Sequence, residues 1–521
     1  MIFRLKGITN KELEEISEHI DTRTTIIKVD LSMNHFDQEG AKSLLQTLTK
    51  DNSLESLSIG YNNIGDTLHL EIGEMILNCR FLRELYLENC GIGSQTVEEI
   101  SRVLVSNPTL GHLDLSGNYI CEAIIHLGKS LSENTKLTCL NISRCSLTNE
   151  SIKILAEFLP KNKSLLSLDL HDNHFTREGM DHLAKAIESH SSISILNLSE
   201  NYLEDGFEAL WECSEKSSSL KEVKIDNTAL TFSSIQSLKS SLLKNTCLQK
   251  LSLNKNAIGD KGALHIADYI SENALLKVLS LSYAEIQSEG GKQIFFSLKD
   301  NTNLTVLDLS GNWLGRISEE IFGALEVNET LVELSLDSIR LSSDACKTLF
   351  QGKMHLKALS MAENHIGDEG AKYVAKFLEK NNLAHLNLSD NEIGDKGAVS
   401  VISSLRKRDS SFFLGFSHNL ISAGSGIGKL LESVKCLTEL SIFGNPLVEE
   451  EEEAQKIQGE LIINRQIVGR TNQAKLLTLM LHRKKDNMFA LLPRRLLIYL
   501  LSFLDYPPKI LKNPRKRKLE A

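Results

Sequence analysis

Leu110-Gly111-His112-Leu113-Asp114-Leu115-Ser116-Gly117-Asn118 has the form L-x-x-L-x-L-x-x-N. The form returns as Leu304-x-x-Leu307-x-Leu309-x-x-Asn312 and occurs in sixteen versions altogether. These begin at Ile26, Leu54, Leu82, Leu110, Leu137, Leu165, Ile193, Leu220, Leu248, Leu276, Leu304, Leu331, Leu356, Leu383, Ser411 and Leu437, mostly 27 or 28 residues apart. A fixed period of this length predicts an array in which each unit buries its apolar side against its neighbours. The central x-L-x-L-x alternates as a short strand with one buried face should, so positions 1, 4 and 6 point inward. The rest of each unit has helical periodicity. After Gly367-Asp368-Glu369, residues Gly370, Ala371, Val374, Ala375 and Leu378 fall on one face, where the small ones admit a neighbouring helix.

Position 9 is Asn in eleven units. Its amide suits the backbone groups freed where the chain turns out of the strand, in its own and the next unit. The exceptions are Cys90, Cys145, Thr228, Ala284 and Ile339. Ile339 fits worst, and the step that follows is the shortest, at 25 residues, which predicts a distorted junction over residues 337–353.

Composition narrows the function classes. With 521 residues, 41% of them hydrophobic, and a formal net charge of −10, the chain is unsuited to coating nucleic acid. No apolar run is long enough to span a bilayer, and the charged start shows no signal peptide. The nine cysteines have no metal-ligand spacing and read as reduced thiols of a cytosolic protein. Asn141-Ile142-Ser143 and Asn387-Leu388-Ser389 are by-products of the repeat rather than glycosylation sites.

The units resemble the long leucine-rich repeats of the ribonuclease-inhibitor type. The likeness rests on unit length, on Asn391-Glu392-Ile393-Gly394-Asp395-Lys396-Gly397-Ala398, and on occasional Cys in place of Asn. It covers roughly residues 26–446. It implies an α/β solenoid of about sixteen repeats, a horseshoe with parallel strands on the concave side and helices on the convex side. Residues 1–25 then read as an N-terminal cap with a helix near Lys11–Ile20, and 447–521 as a helical cap or tail.

In that family's geometry positions 3, 5, 7 and 8 face the concavity. Fifteen acidic residues occupy them: Asp30, Glu84, Glu88, Asp114, Asp169, Asp172, Glu200, Glu222, Asp226, Asp308, Glu333, Asp337, Glu363, Asp390 and Glu439. Only five are basic: Lys28, Arg144, Lys224, Lys250 and Lys255. A curved wall of one sign speeds capture of an oppositely charged partner, which predicts a basic protein ligand. The competing reading is that Asp, Asn and Ser here are ordinary solvated strand residues. Tyr61, Tyr86, Tyr283, Phe413 and Phe443 are the candidate aromatic anchors, the two phenylalanines neighbouring each other in the last two units. Packing against the C-terminal segment is the alternative for that pair.

Two chemical motifs dissolve in the repeat register. Gly424-Ser425-Gly426-Ile427-Gly428-Lys429 lacks the earlier Gly and following Ser or Thr of a phosphate loop, having Ala423 and Leu430 there. In His171-Asp172-Asn173-His174, Asn173 is the repeat Asn, so the structural reading stands. No catalytic constellation, cofactor site or metal site is expected, and no small-molecule substrate.

Beyond Pro446 the repeat stops. Glu449–Glu453 suits a helix start, helix-like sequence runs to about Ile463, and a second apolar helix fits Ala474–Leu481. Leu491-Leu492-Pro493-Arg494-Arg495-Leu496-Leu497-Ile498-Tyr499-Leu500-Leu501-Ser502-Phe503-Leu504 resembles the opening of an F-box. That likeness spans about fifteen residues, the first third of the motif. It implies that Leu492, Pro493, Leu496, Leu497, Leu500, Leu501 and Leu504 dock on the Skp adaptor of a cullin ubiquitin ligase. A degenerate SOCS-type box and a plain helical cap are the other readings. Pro514-Arg515-Lys516-Arg517-Lys518 suits nuclear entry or a frayed basic tail.

The chain therefore reads as a cytoplasmic, non-enzymatic scaffold for a protein partner. The array joined to an F-box-like fragment also looks like secreted effectors of intracellular bacteria, which implies action on a host protein in the host cytosol. The alternatives are a substrate adaptor of a ubiquitin ligase and a Ran-type GTPase-activating regulator, whose family shares the long repeat but carries a much longer acidic tail.

Overall fold

The computed structural model describes residues 2–464 apart from short stretches, of which 20–26 and 213–218 are the longest. The adaptor-docking stripe at 492–504, the helix predicted at 474–481 and the basic cluster at 514–518 lie outside the described residues.

Seventeen short strands form one parallel sheet in chain order, from Ile2–Arg4 to Leu437–Ser441. Most coils return through a helix, which the parallel connection requires. Register is set by the repeat: Glu84, Leu85 and Tyr86 pair with His112, Leu113 and Asp114, and these with Cys139, Leu140 and Asn141. Leu110, Leu113 and Leu115 are fully buried, as are most of their counterparts among the described residues, while Leu440 and Ile442 of the last unit are partly buried. Each such side chain contributes roughly 1.5–3 kcal/mol of transfer free energy. The N-terminal cap has the expected helix, Asn10–His19. It also has a strand that the repeat pattern does not announce: Ile2–Arg4 pairs in register with Lys28–Asp30, making the cap a further coil.

The position-9 Asn works as the spacing predicts. The Asn118 amide donates to the carbonyls of Leu87 and Leu115 (2.8 and 2.9 Å), and its oxygen accepts from the N–H of Cys90 and Ile92 (3.0 and 3.2 Å). Where Cys replaces Asn, the thiol keeps one of these roles: Cys90 Sγ donates to the Ile59 carbonyl at 3.4 Å. Burial pushes the Cys90 and Cys145 thiols up to about 12, so both are inert, protonated fillers.

A second ladder of buried asparagines lies at the opposite corner, three residues before position 1. Asn107 accepts from the N–H groups of Thr109 and Leu110 (3.0 and 2.7 Å) and donates to the Ile76 carbonyl one coil back (2.9 Å). Asn134, Asn162 and Asn301 repeat the pattern. In one coil His190 stands in. Its Nδ1 accepts from the N–H of Ser192 and Ile193 (both 3.2 Å), while Nε2 is buried without a partner. Burial, reinforced by Lys163, pulls this imidazole down to about 4. The folded state therefore resists a proton that the unfolded chain accepts near pH 6.5, and stability falls as pH drops from 6.5 toward 4. His190→Asn is expected to remove this acid sensitivity, gaining about 1–2 kcal/mol at pH 5 relative to pH 7. Urea unfolding at the two pH values measures it, and an unchanged pH slope would refute the role given to His190.

The I-G-D-x-G-A segment has a physical explanation. Asp368 Oδ1 accepts from the N–H of Gly394 and Gly397 in the next coil, both at 2.8 Å, and so caps a helix other than its own. A Cβ on Gly397 would sit 2.6 Å from that oxygen and 3.0 Å from the Ala371 Cβ. Asp260 and Asp66 cap their following helices in the same way.

The junction expected to be distorted over residues 337–353 is altered on its helix side alone, and one inward position is corrected. The junction near Ile339 is regular on the sheet side, since Glu333–Ser335 pairs in unbroken register with Val306–Asp308 and Ala358–Ser360. Asn364 serves both coils in the ordinary way, accepting from the N–H of Ile339 and Leu341 (3.2 and 2.8 Å). The missing residues come out of the helix, which shrinks to Ser343–Leu349. In the fifteenth unit the inward position 1 belongs to Phe412, not Ser411. A register shift between Phe412 and Phe413 places Phe412 opposite Leu437 and inside the core, because a serine there would leave a hole.

At the C-terminal end the last coil is covered by residues 454–458, 460, 461 and 464. Ile457 and Leu461 join the core, and the Asn464 amide donates to the carbonyls of Val434 and Leu437 (2.9 and 3.1 Å). Repeat arrays need such a cover, because an open end exposes the core.

Candidate protein-binding surface

The face of the sheet away from the helices carries two ladders. Position 3 contributes Glu84, His112, Glu333, His385 and Phe413, and position 5 contributes Tyr86, Asp114, Asp169 and Asp308. The parallel register brings each residue beside its equivalents one coil away.

Most of the carboxylates predicted to attract a partner are engaged within the chain. Asp114 accepts from the Ser116 N–H and hydroxyl (2.9 and 2.6 Å) and from the Asn141 amide (2.7 Å). Asp169 does the same with the His171 N–H and the Asn197 amide (both 2.9 Å). Asp308 accepts from the Ser310 N–H and the Ser280 hydroxyl (3.0 and 3.1 Å), and Asp30 from Ser32. Asp337 is fixed by the Ser360 hydroxyl and the Ala362 N–H (both 2.6 Å). Burial, opposed by these two bonds, still holds its carboxyl above the usual range. These aspartates support the turn out of the strand, which is what the ordinary-strand reading predicts.

The basic residues are engaged too. Lys28 pairs with Glu84 at 3.3 Å, Lys250 and Lys224 with Glu222 at 3.1 and 3.6 Å, and Arg144 with Asp172 at 3.3 Å. The side chains of Glu200, Glu333, Asp390 and Glu439 make no hydrogen bond or ion pair among the described residues, although His385 feels the charges of Glu333 and Glu439. Of the five basic side chains Lys255 alone is likewise unpaired. The acidic excess survives, carried by fewer groups than the charge count implies. Glu88 is a special case: its Oε2 is buried over Gly60 without a partner, and burial, with the nearby charges of Asp114 and Asp30, raises its pKa.

Aromatic groups cluster with histidines. Tyr86 and His112 have ring centroids 4.7 Å apart. Phe413 is stacked on His385 at 4.1 Å, and Phe443 meets His418 edge-on at 5.3 Å. Each of the two phenylalanines thus has a histidine ring beside it. The adjoining Phe412 is turned into the core.

The rim that follows the strands is the feature not read from the repeat. Every residue at position 8 has φ between +49° and +75°, from Met33 and Tyr61 through Asp172, Glu200 and Tyr283 to Gly444. This left-handed turn disfavours bulky side chains, by roughly 1–2 kcal/mol each. It projects them, with those of position 10, onto one edge of the array. Tyr119, Tyr202 and Trp313 at position 10 are 65%, 65% and 59% exposed. The Arg340 guanidinium lies 4.7 Å over the Trp313 ring. A groove of about 400 Å³ on this rim is lined by Glu200, Tyr202, Ala229, Lys255, Tyr283 and Glu285. Reading position 10 as well as 3, 5, 7 and 8 would have found these anchors.

Comparison with known proteins agrees with this architecture. The family model described as Leucine Rich repeat matches residues 23–45, 50–67, 133–156, 161–184, 244–267, 272–295, 300–316, 352–375 and 379–401. Over 123 residues the chain is 35% identical to NACHT, LRR and PYD domains-containing protein 9B of Mus musculus, covering 22% of this chain and 12% of that protein. It is 24% identical over 235 residues to the ribonuclease inhibitor of Sus scrofa, covering 43% of this chain and 44% of the relative. The chain thus spans less than half the length of these curated relatives. The solved TLR13–ssRNA13 complex superposes on 85% of this chain and 55% of that one, with a TM-score of 0.51 at 20% identity. No helix among the described residues is long and apolar enough to cross a membrane. The chain is a leucine-rich-repeat solenoid, with parallel strands lining one face of a horseshoe and helices the other.

Proposed function

We propose that this chain is a non-catalytic scaffold that captures a basic protein partner across the open sheet face and the adjoining rim. The observation that carries the reading is the unbalanced set of free charges. Among the described residues the side chains of Glu200, Glu333, Asp390 and Glu439 have no hydrogen bond or ion pair, while of the five basic residues at positions 3, 5, 7 and 8 only Lys255 has none. Exposed aromatic side chains at positions 8 and 10 supply the rigid contact area that dominates most interfaces. The relatives named for leucine-rich repeats and ribonuclease inhibition support a binding role. Affinity capture from a eukaryotic lysate, with the wild type beside a Glu200→Lys/Glu333→Lys/Glu439→Lys variant, tests the proposal. The captured partner is expected to be lost from the variant. Its affinity for the wild type should fall at least about tenfold as salt rises from roughly 0.05 to 0.5 M, since exposed charges are screened over that range. A flat salt dependence would overturn the acidic-surface reading.

A second reading, ubiquitin-ligase adaptor, is favoured by the cover that residues 454–458, 460, 461 and 464 provide. With Ile457, Leu461 and Asn464 closing the last coil, the apolar stripe Leu492, Leu496, Leu500 and Leu504 is not needed for that purpose. Capture with and without residues 488–521 separates the two readings. A cullin component must disappear on truncation for the adaptor reading to survive. The effector reading, with delivery into a host cytosol, rests on the same tail.

A further inference from the structure

We propose that His171, Asp172 and Glu200 form a binding site for a divalent transition-metal ion of the zinc type, held between two adjacent coils. Their ligand atoms all lie within 4.8 Å of one another. His171 and Asp172 are positions 7 and 8 of one unit, and Glu200 is position 8 of the next. The left-handed backbone at Asp172 and Glu200 (φ 52° and 58°) turns both carboxylates onto the same rim.

Two of the three groups lack the hydrogen bonds that hold the nearby strand aspartates. Asp169 in the same unit, and Asp114 two units earlier, have oxygens engaged by backbone N–H groups and asparagine amides. The His171 ring and the Glu200 carboxylate have no hydrogen bond or ion pair among the described residues. Asp172 has one, to Arg144. A neutral imidazole with two carboxylates offers one nitrogen donor and two negative charges, a set that suits Zn²⁺, Co²⁺ or Ni²⁺ better than the all-oxygen preference of Mg²⁺ or Ca²⁺. Three protein ligands leave a fourth position to water or to a side chain of a bound partner. Arg144 is the opposing element. Its guanidinium, about half exposed, occupies Asp172 at 3.3 Å and must leave for the ion to enter. Exposed ion pairs of this kind are weak, so the displacement costs little.

The site shares Glu200 with the scaffold reading, but its test uses no partner, so its failure and the failure of that reading are read by separate measurements. Zn²⁺ and Co²⁺ are titrated calorimetrically and optically into the full, reduced chain. One equivalent is expected to bind with no thiolate-to-cobalt charge-transfer band, which distinguishes it from ions held by cysteines. His171→Ala and Glu200→Gln should each weaken that equivalent at least tenfold with unchanged thermal melts, and Arg144→Ala should tighten it several-fold. Absence of a thiol-free equivalent, or the same equivalent in a His171→Ala/Glu200→Gln double variant, would overturn the proposal.

Discussion

Replacing Asn173 by alanine is expected to destabilise the array by about 3–5 kcal/mol, because several buried backbone groups lose their partner at once. The Asn173 oxygen accepts from the N–H of Cys145 and Leu147 in the preceding coil (3.0 and 2.9 Å). Its amide donates to the carbonyls of Ile142 and Leu170 (3.1 and 2.9 Å). Alanine provides neither function, and water has no room in a position that is 4% exposed. Asn173→Cys should cost clearly less. The thiol of Cys145 at the equivalent position donates to the carbonyls of Leu115 and Ser143 (3.4 and 3.2 Å), so cysteine restores the donor though not the acceptor. Urea unfolding of the two variants gives the comparison, and equal losses would mean that side-chain volume matters here and hydrogen bonding does not.

Leu168→Ala is the second large effect, at about 2–5 kcal/mol. Leu168 is 1% exposed, at position 4 of its unit, and pairs with Leu140 and Leu196 in the flanking strands. Truncation opens a hole shared by three coils. In a one-dimensional array each coil is stabilised only by its neighbours, so the loss weakens both interfaces of that unit. Equilibrium unfolding combined with hydrogen exchange should locate the weakness around residues 137–197. A loss under about 1 kcal/mol would contradict the inward position of Leu168.

Much of this molecule is legible as text because its core is local and periodic. The inward side chains at positions 1, 4 and 6 and the Asn at position 9 meet equivalents one period away, so spacing alone gives the contacts. The buried Asn three residues before position 1 was equally available, as Asn107-Pro108-Thr109-Leu110 and its repeats show, and its meaning became clear only from its bonds. Where one period is irregular, the text is less specific. The short step after Ile339 suggested a distorted junction over residues 337–353 without saying which side would yield. The sheet held its register and the helix absorbed the deficit, because a strand pair loses hydrogen bonds if it slips while a surface helix can lose a turn.

The candidate site was legible only in outline. Sequence counts charges at the outward positions. It does not say which carboxylates are already engaged, because that depends on a serine, an asparagine or a backbone N–H in the same turn or the next coil. Asp172 and Glu200 both occupy position 8; one is paired with Arg144, and the other's carboxylate has no hydrogen bond or ion pair among the described residues.

By itself, then, the sequence determined the architecture, the inward ladder and the acidic bias, since all three follow from a 27- or 28-residue period of apolar, amide and charged residues. Tertiary structure alone decided which charges remain free, and that Tyr119, Tyr202 and Trp313 are exposed along a left-handed rim. It also decided that His171 and Asp172 meet Glu200 across a coil boundary. Those outcomes depend on backbone handedness and on contacts between side chains about thirty residues apart, and a linear pattern specifies neither.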